Sequence, residues 1–204
     1  MPKFTEQEKE HIYQCMLTKG KELFIQYGLA KTSIDDIVLA CGIAKGSFYK
    51  FFSSKEELYF AVLKNEEGVR NQLLSELLRE DLPPKERMSS FFHKAYQLAD
   101  ENPFLQNVFQ KGDYERLVRK LPEHLQQSSL EDMNKGVEVM KSFIRQGSFR
   151  DDDAELAAGV MRAVLMLRLH KDQLGAESFS PIIDKIIEYV SEGMTRPKEP
   201  PKEP

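Results

Sequence analysis

The sequence predicts an all-α protein. Three observations carry this reading. Apolar residues recur at steps of three and four along most of the chain, Gly, Pro and capping residues punctuate those stretches, and no stretch alternates apolar and polar side chains at a period of two. About nine helices are expected. A three-helix domain covers residues 1–53, a larger helical domain covers 54–196, and residues 197–204 form a tail.

The elements follow in order. Residues 6–27 place Ile12, Met16, Gly20, Leu23, Phe24 and Tyr27 on one helical face, and Gly28 stands where a left-handed residue ends a helix. Thr32 or Ser33 caps the next helix, with Asp35 and Asp36 in its positively polarised first turn. Ile34, Ile37 and Val38 give that helix a short apolar face. Gly42 ends it, and AKGSFYKFF starts a third helix after a tight turn. Ser53 or Ser54 caps a fourth, with Glu56 and Glu57 in its first turn and an apolar face running from Leu58 to Leu78. It is expected to reach about Glu80, where Asp81-Leu82-Pro83-Pro84 breaks it.

A helix over 84–101 carries Met88, Phe91, Phe92, Ala95 and Leu98. A short segment starts at Asn102-Pro103, another helix covers about 113–120, and Pro122 opens a longer one ending near Gly147. Residues 151–174 and the last helix, with Ile182, Ile183, Ile186, Ile187, Tyr189 and Val190, are apolar over much of their circumference. Such helices are expected to be buried on several faces. The final PKEPPKEP has no apolar residue, which predicts disorder.

Composition narrows the function classes. The chain has 204 residues, 41% hydrophobic and 30% charged, which fits a globular protein and excludes collagen, low-complexity chains and disulfide scaffolds. No apolar run is long enough to predict a membrane span, and MPKFTEQEKEHI lacks the apolar core of a secretory signal. Two cysteines, Cys15 and Cys41, suit a reducing compartment, so the cytoplasm is the expected location. The net charge of −4 hides an asymmetry: residues 1–55 hold eight lysines and six acids. Only that end is expected to meet a polyanion. Arg is absent from residues 1–69, so phosphate contacts there must come from Lys, hydroxyls and backbone N–H groups.

Residues 33–52 have a helix-turn-helix plan: a capped short helix, a turn at Ala40-Cys41-Gly42 and a second short helix. In such a motif the second helix enters the major groove. Small residues at its start, Ala44, Gly46 and Ser47, let the backbone approach DNA. Lys45, Ser47, Tyr49 and Lys50 offer groups for phosphates and base edges.

Residues 23–63, LFIQYGLAKTSIDDIVLACGIAKGSFYKFFSSKEELYFAVL, resemble the N-terminal domain of TetR/AcrR-family transcriptional regulators. The matching features are Leu23-Phe24, Gly28, Thr32-Ser33, Ile37, Gly42, Lys45-Gly46, Tyr49, Phe52 and Ser54-Lys55-Glu56-Glu57-Leu58. The resemblance implies an Ω-shaped homodimer that binds a palindromic DNA operator through a recognition helix at about 44–50. By position it implies that Lys45, Gly46, Ser47, Tyr49 and Lys50 face DNA, that Thr32 and Ser33 touch phosphate, and that Lys55 is a further phosphate contact. Ser33 as a cap alone and Lys55 as an ordinary surface charge are the competing readings. Phe48, Phe51 and Phe52 are expected to pack. Phe51 stands where the family often has His, which puts a contact made by that His in doubt.

The same resemblance implies a small-molecule effector bound in the C-terminal domain. Phe91, Tyr96, Phe104, Phe109, Met140, Phe143 and Met166 are candidate pocket residues, although aromatic and Met residues at helical spacing are also ordinary core. Dimerisation is expected through the last two helices packed against their mates, with Leu156, Val160, Val164, Leu167, Ile183, Ile187 and Val190 as candidate interface residues. No catalytic residue, metal or cofactor is expected: the four His are scattered, with no His-Glu-x-x-His, Cys-x-x-Cys, Gly-rich phosphate loop or Gly-x-Ser-x-Gly. Asp151-Asp152-Asp153 reads as a helix cap. The alternatives are a redox-responsive regulator using Cys15 and Cys41, and an interaction module that does not bind DNA.

Overall fold

The computed structural model describes residues 4–78, 82–110, 112–149 and 153–195, and every described element is helical. The chain divides into two compact units, Met1–Gly68 with Asp100–Leu125, and Val69–Ala99 with Gln126–Pro204. The expected boundary after residue 53 falls inside the first unit. The expected tail, 197–204, lies outside the described residues.

The first unit is built on α1 (Glu6–Lys31), α2 (Ile34–Ala40), α3 (Lys45–Phe48), α4 (Lys55–Asn65), α7 (Pro103–Gln110) and α8 (Asp113–Lys120). Thr5 starts α1 with a capping box: its hydroxyl accepts the Glu8 N–H at 3.2 Å, and the Glu8 carboxylate accepts the Thr5 N–H at 2.7 Å. Met16, Gly20 and Phe24 are buried, as the helical spacing predicts. Gly20 lets α4 approach, since a Cβ there would lie 2.9 Å from Leu58 Cδ2.

Gly28 interrupts α1 at φ 76, ψ 166, backbone space open essentially to glycine alone. One further turn then follows where the sequence predicts an end, and Tyr27 is left exposed beside the break. The break frees backbone groups that distant side chains satisfy. Asn107 Nδ2 donates to the Phe24 and Ile25 carbonyls at 2.9 and 2.7 Å. The Asp113 carboxylate accepts the Leu29 N–H at 2.8 Å. Around this junction Tyr59 is buried between Phe24 and Phe104, with ring centroids 4.8 and 4.9 Å away.

The single helix expected from 54 to about 80 is two helices, α4 and α5 (Glu67–Leu77), divided at Glu66. The Glu66 carboxylate is held by Lys21 Nζ at 2.7 Å and Asn102 Nδ2 at 2.6 Å. Both partners are remote in sequence, and the local sign of a break is Gly68, two residues on.

The second unit contains most of α5, α6 (Pro84–Glu101) and α9 (Glu123–Arg145), with α10 (Ala154–Met166), a 3-10 turn (Leu167–His170), α11 (Lys171–Leu174) and α12 (Ala176–Thr195). Asp153 caps α10, its carboxylate accepting the Glu155 and Leu156 N–H groups at 3.0 and 2.9 Å. Asp151 and Asp152 lie outside the described residues. Met88, Phe91, Phe92, Met140, Phe143, Met161, Phe179, Ile183 and Ile187 form the core. The buried Arg87 guanidinium lies 4.4 Å from the Phe143 ring centroid and donates to the Leu77 carbonyl and to Ser148 Oγ, at 3.0 and 3.1 Å. Among the described residues no helix is long and apolar enough to cross a membrane.

This packing reassigns several residues. Val164, Ile183 and Ile187, expected at a subunit interface, are buried in the core of the second unit. Leu156 is 59% exposed, while Val160, Leu167 and Val190 are half-buried. Phe91, Met140 and Phe143, expected to line a pocket, fill the same core. Tyr96 spends its hydroxyl on the Val164 carbonyl at 2.6 Å. Phe104 belongs to the core of the first unit. Met166 is half-buried, and the side chain of Phe109 lies outside the described residues.

Candidate nucleic-acid interface

The α2–α3 segment is shaped by its own caps. The Ser33 hydroxyl accepts the Asp36 N–H at 3.1 Å, and the Asp36 carboxylate accepts the Ser33 N–H at 3.0 Å. This box lowers the Asp36 pKa, through the Ser33 hydroxyl first and its backbone N–H second. The turn after α2 closes through Gly42 at φ 64 and an Ile43 N–H bond to the Val38 carbonyl at 3.0 Å. Residues 48–52 continue α3 as tight turns, with the Phe51 and Phe52 N–H groups both on the Phe48 carbonyl.

Aromatic packing sets which face of α3 points outward. Phe48 and Phe52 are buried, and Phe52 stacks on Tyr13 with centroids 5.5 Å apart. Phe51 is half-buried beside this core, so a residue where the family often has His here serves packing. The opposite side carries Ala44, Lys45, Gly46, Tyr49 and Lys50, all exposed, with Ser47 half-exposed. Tyr49 is 53% exposed and meets the edge of Phe48 at 5.6 Å. Lys50 Nζ lies 4.7 Å from the Phe4 ring centroid. A Cβ at Gly46 would meet nothing within 4 Å, so this part of the backbone is open.

Of the nine residues expected to face DNA, seven lie on or beside this surface, Ser33 among them as an exposed cap. Two do not. Thr32 is 1% exposed, and its hydroxyl donates to the Gly28 carbonyl at 2.9 Å. Lys55 turns inward to the end of α1, where Nζ donates to the Leu29, Ala30 and Thr32 carbonyls at 2.7, 3.1 and 2.7 Å. Burial lowers its pKa. Lys55 therefore caps a helix C-terminus in the geometry where cations are favourable.

Asp35, expected only as an acid in the first turn of α2, is also a surface residue. It forms an exposed ion pair with Lys45, Nζ to Oδ1 2.9 Å, which raises the lysine's pKa. The signal for it was present: Ser33 and Asp36 complete the capping box, which leaves the Asp35 carboxylate free for another use.

Cys15 and Cys41 are free, half-buried thiols. Burial, followed by the adjacent Cys15, pushes the Cys41 thiol up to about 12, so it stays protonated and weakly nucleophilic at neutral pH. In the second unit a cleft of about 570 Å³ opens between α5 and α9, lined by Leu74, Leu78 and Val139 with Asn71, Ser75, Asn134, Lys135 and Glu138 as its polar neighbours. Among the described residues, none of those expected in the pocket lines it.

Comparison with known proteins agrees with this geometry. Residues 16–62 match the family model described as bacterial regulatory proteins, tetR family. The HTH-type transcriptional repressor KstR2 of Mycobacterium tuberculosis is 30% identical over 156 residues, covering 72% of this chain and 74% of the relative. Among solved structures, a TetR-family regulator from Pectobacterium atrosepticum superposes with a TM-score of 0.69 at 19% identity, covering 96% of this chain and all of its own. The transcriptional regulator FadR of Bacillus subtilis, in complex with stearoyl-CoA, gives 0.62 at 19% identity over 89% of this chain and 98% of its own. The two structural likenesses concern the fold. The match to the repressor, with that to the family model, leads to one conclusion: the chain belongs to the TetR family of transcriptional regulators.

Proposed function

We propose that this chain is a sequence-specific repressor that reads a palindromic operator as a homodimer and is released from it by a small molecule. The observation that carries the reading is the outward face of α3. Lys45, Ser47, Tyr49 and Lys50 stand beside the open backbone at Gly46, while Phe48 and Phe52 fix the helix from behind. Such a face offers donors to phosphates and base edges while keeping its backbone free to approach DNA. Residues 1–53 then form the DNA-binding domain, with Ser33 near phosphate.

Exposed apolar residues on α10 and α12 support self-association: Leu156 and Tyr189 are 59% and 63% exposed, and Ile182 is 37% exposed. The cleft between α5 and α9 is the proposed effector site. Its apolar walls and amide neighbours suit an amphipathic ligand, and the FadR complex with stearoyl-CoA supports that class. A ligand that favours the state unable to bind DNA weakens operator affinity by its differential affinity for the two states. The cytoplasm is the compartment where such a regulator works.

The test is selection of bound DNA from a random duplex library with purified protein at fixed, moderate salt. An enriched inverted repeat supports the reading. A single unrepeated site removes the dimer from it, and no enrichment overturns it.

A further inference from the structure

The Asp35–Lys45 pair spans the start of α2 and the start of α3, with Nζ 2.9 Å from Oδ1 and 3.0 Å from Oδ2. The fold needs neither side chain there. Asp36 completes the α2 cap, Phe48 buries α3, and the two paired side chains remain 69% and 53% exposed. An ion pair this exposed adds little to stability. A carboxylate on a surface that meets a polyanion also weakens its general grip on phosphate. Its position therefore calls for a use in recognition.

The pair presents a hydrogen-bond acceptor and a charged donor side by side. In the major groove a G·C pair presents the complementary set: guanine O6 and N7 accept, and the cytosine N4 amino group donates. An A·T pair also offers one donor, adenine N6, but it stands between two acceptors, N7 and O4, which repel a carboxylate, and the thymine methyl lies beside O4. In a G·C pair the two acceptors are adjacent on guanine and the donor stands apart on cytosine. We propose that Asp35 is a specificity-determining residue: with Lys45 it reads one G·C base pair in each half-site, accepting from the cytosine amino group while Lys45 donates to guanine. The proposal rests on the reading of the α2–α3 face as the DNA-binding surface.

Library selection with the parent, Asp35→Ala and Asp35→Asn proteins in parallel tests it, with melting temperatures confirming that all three fold. The parent motif is expected to contain a G·C position at which discrimination falls about tenfold in Asp35→Ala, while the other positions persist. An Asp35→Ala motif equal to the parent's overturns the proposal and leaves DNA reading intact. So does a loss confined to an A·T position, or a uniform fading of all positions. If the parent enriches no sequence, the underlying reading fails and this proposal falls with it.

Discussion

Asp113, the first residue of α8, accepts the backbone N–H of Leu29 at 2.8 Å across 84 positions of sequence. The break at Gly28 leaves that N–H inside the protein without a helical partner, and Asp113, 2% exposed, supplies one. The same carboxylate takes the Tyr59 hydroxyl at 3.4 Å.

Asp113→Ala leaves a buried N–H and a buried hydroxyl unsatisfied, so it should lower unfolding free energy by about 2–3 kcal/mol. Asp113→Asn keeps a carbonyl acceptor and should cost about 1 kcal/mol. Denaturant titration measures both. Equal stability of the Ala variant and the parent would show that the bond to Leu29 contributes nothing.

Lys55 is a helix cap in this structure, which separates two measurable outcomes. Lys55→Ala should destabilise the protein by about 1–2 kcal/mol, because three carbonyls lose a charged donor. The dependence of DNA affinity on salt should keep its slope. A direct phosphate contact would instead reduce that slope by about 0.9 per lysine.

Gly20 sets the approach of α1 to α4. Gly20→Val should cost about 2 kcal/mol, since even its first carbon meets Leu58, which is fully buried. Gly20→Ala should lose less, because a gain in helix propensity of about 1 kcal/mol offsets part of the overlap. Thermal melts of the two variants should rank Val below Ala, and the reverse order would refute this account of the contact.

The α2 cap predicts a pH signature. Asp36 has a native pKa below its ordinary value of 3.8 because the Ser33 hydroxyl and N–H favour the carboxylate. The unfolded chain therefore takes up a proton first as pH falls. The cap's contribution is complete above pH 3.8 and disappears as pH drops through the lower native value. Ser33→Ala should flatten stability against pH in that acid window and leave its slope near neutrality unchanged.

What the sequence made legible was local. Ser33 and Asp36 lie three residues apart, so their box is written in the chain, and the spacing of Phe48 and Phe52 announces a buried face. Thr32 and Lys55 are less legible because their partners are backbone carbonyls, that of Gly28 for Thr32 and those at the end of α1 for Lys55. Only the approach of α4 across Gly20 brings Lys55 to them. Glu66, where α4 and α5 divide, is held by Lys21 and Asn102, and Phe104 joins the first core through Tyr59. Pairings of that kind come from tertiary packing, which periodicity does not encode.

The most direct test of α3 as the DNA-reading element is the affinity of Lys45→Ala/Tyr49→Phe for the duplex that the parent selects, measured at fixed salt beside its melting temperature. The expected result is at least about a tenfold loss of affinity with an unchanged melting temperature. Affinity equal to the parent's would contradict the assignment of this surface to DNA.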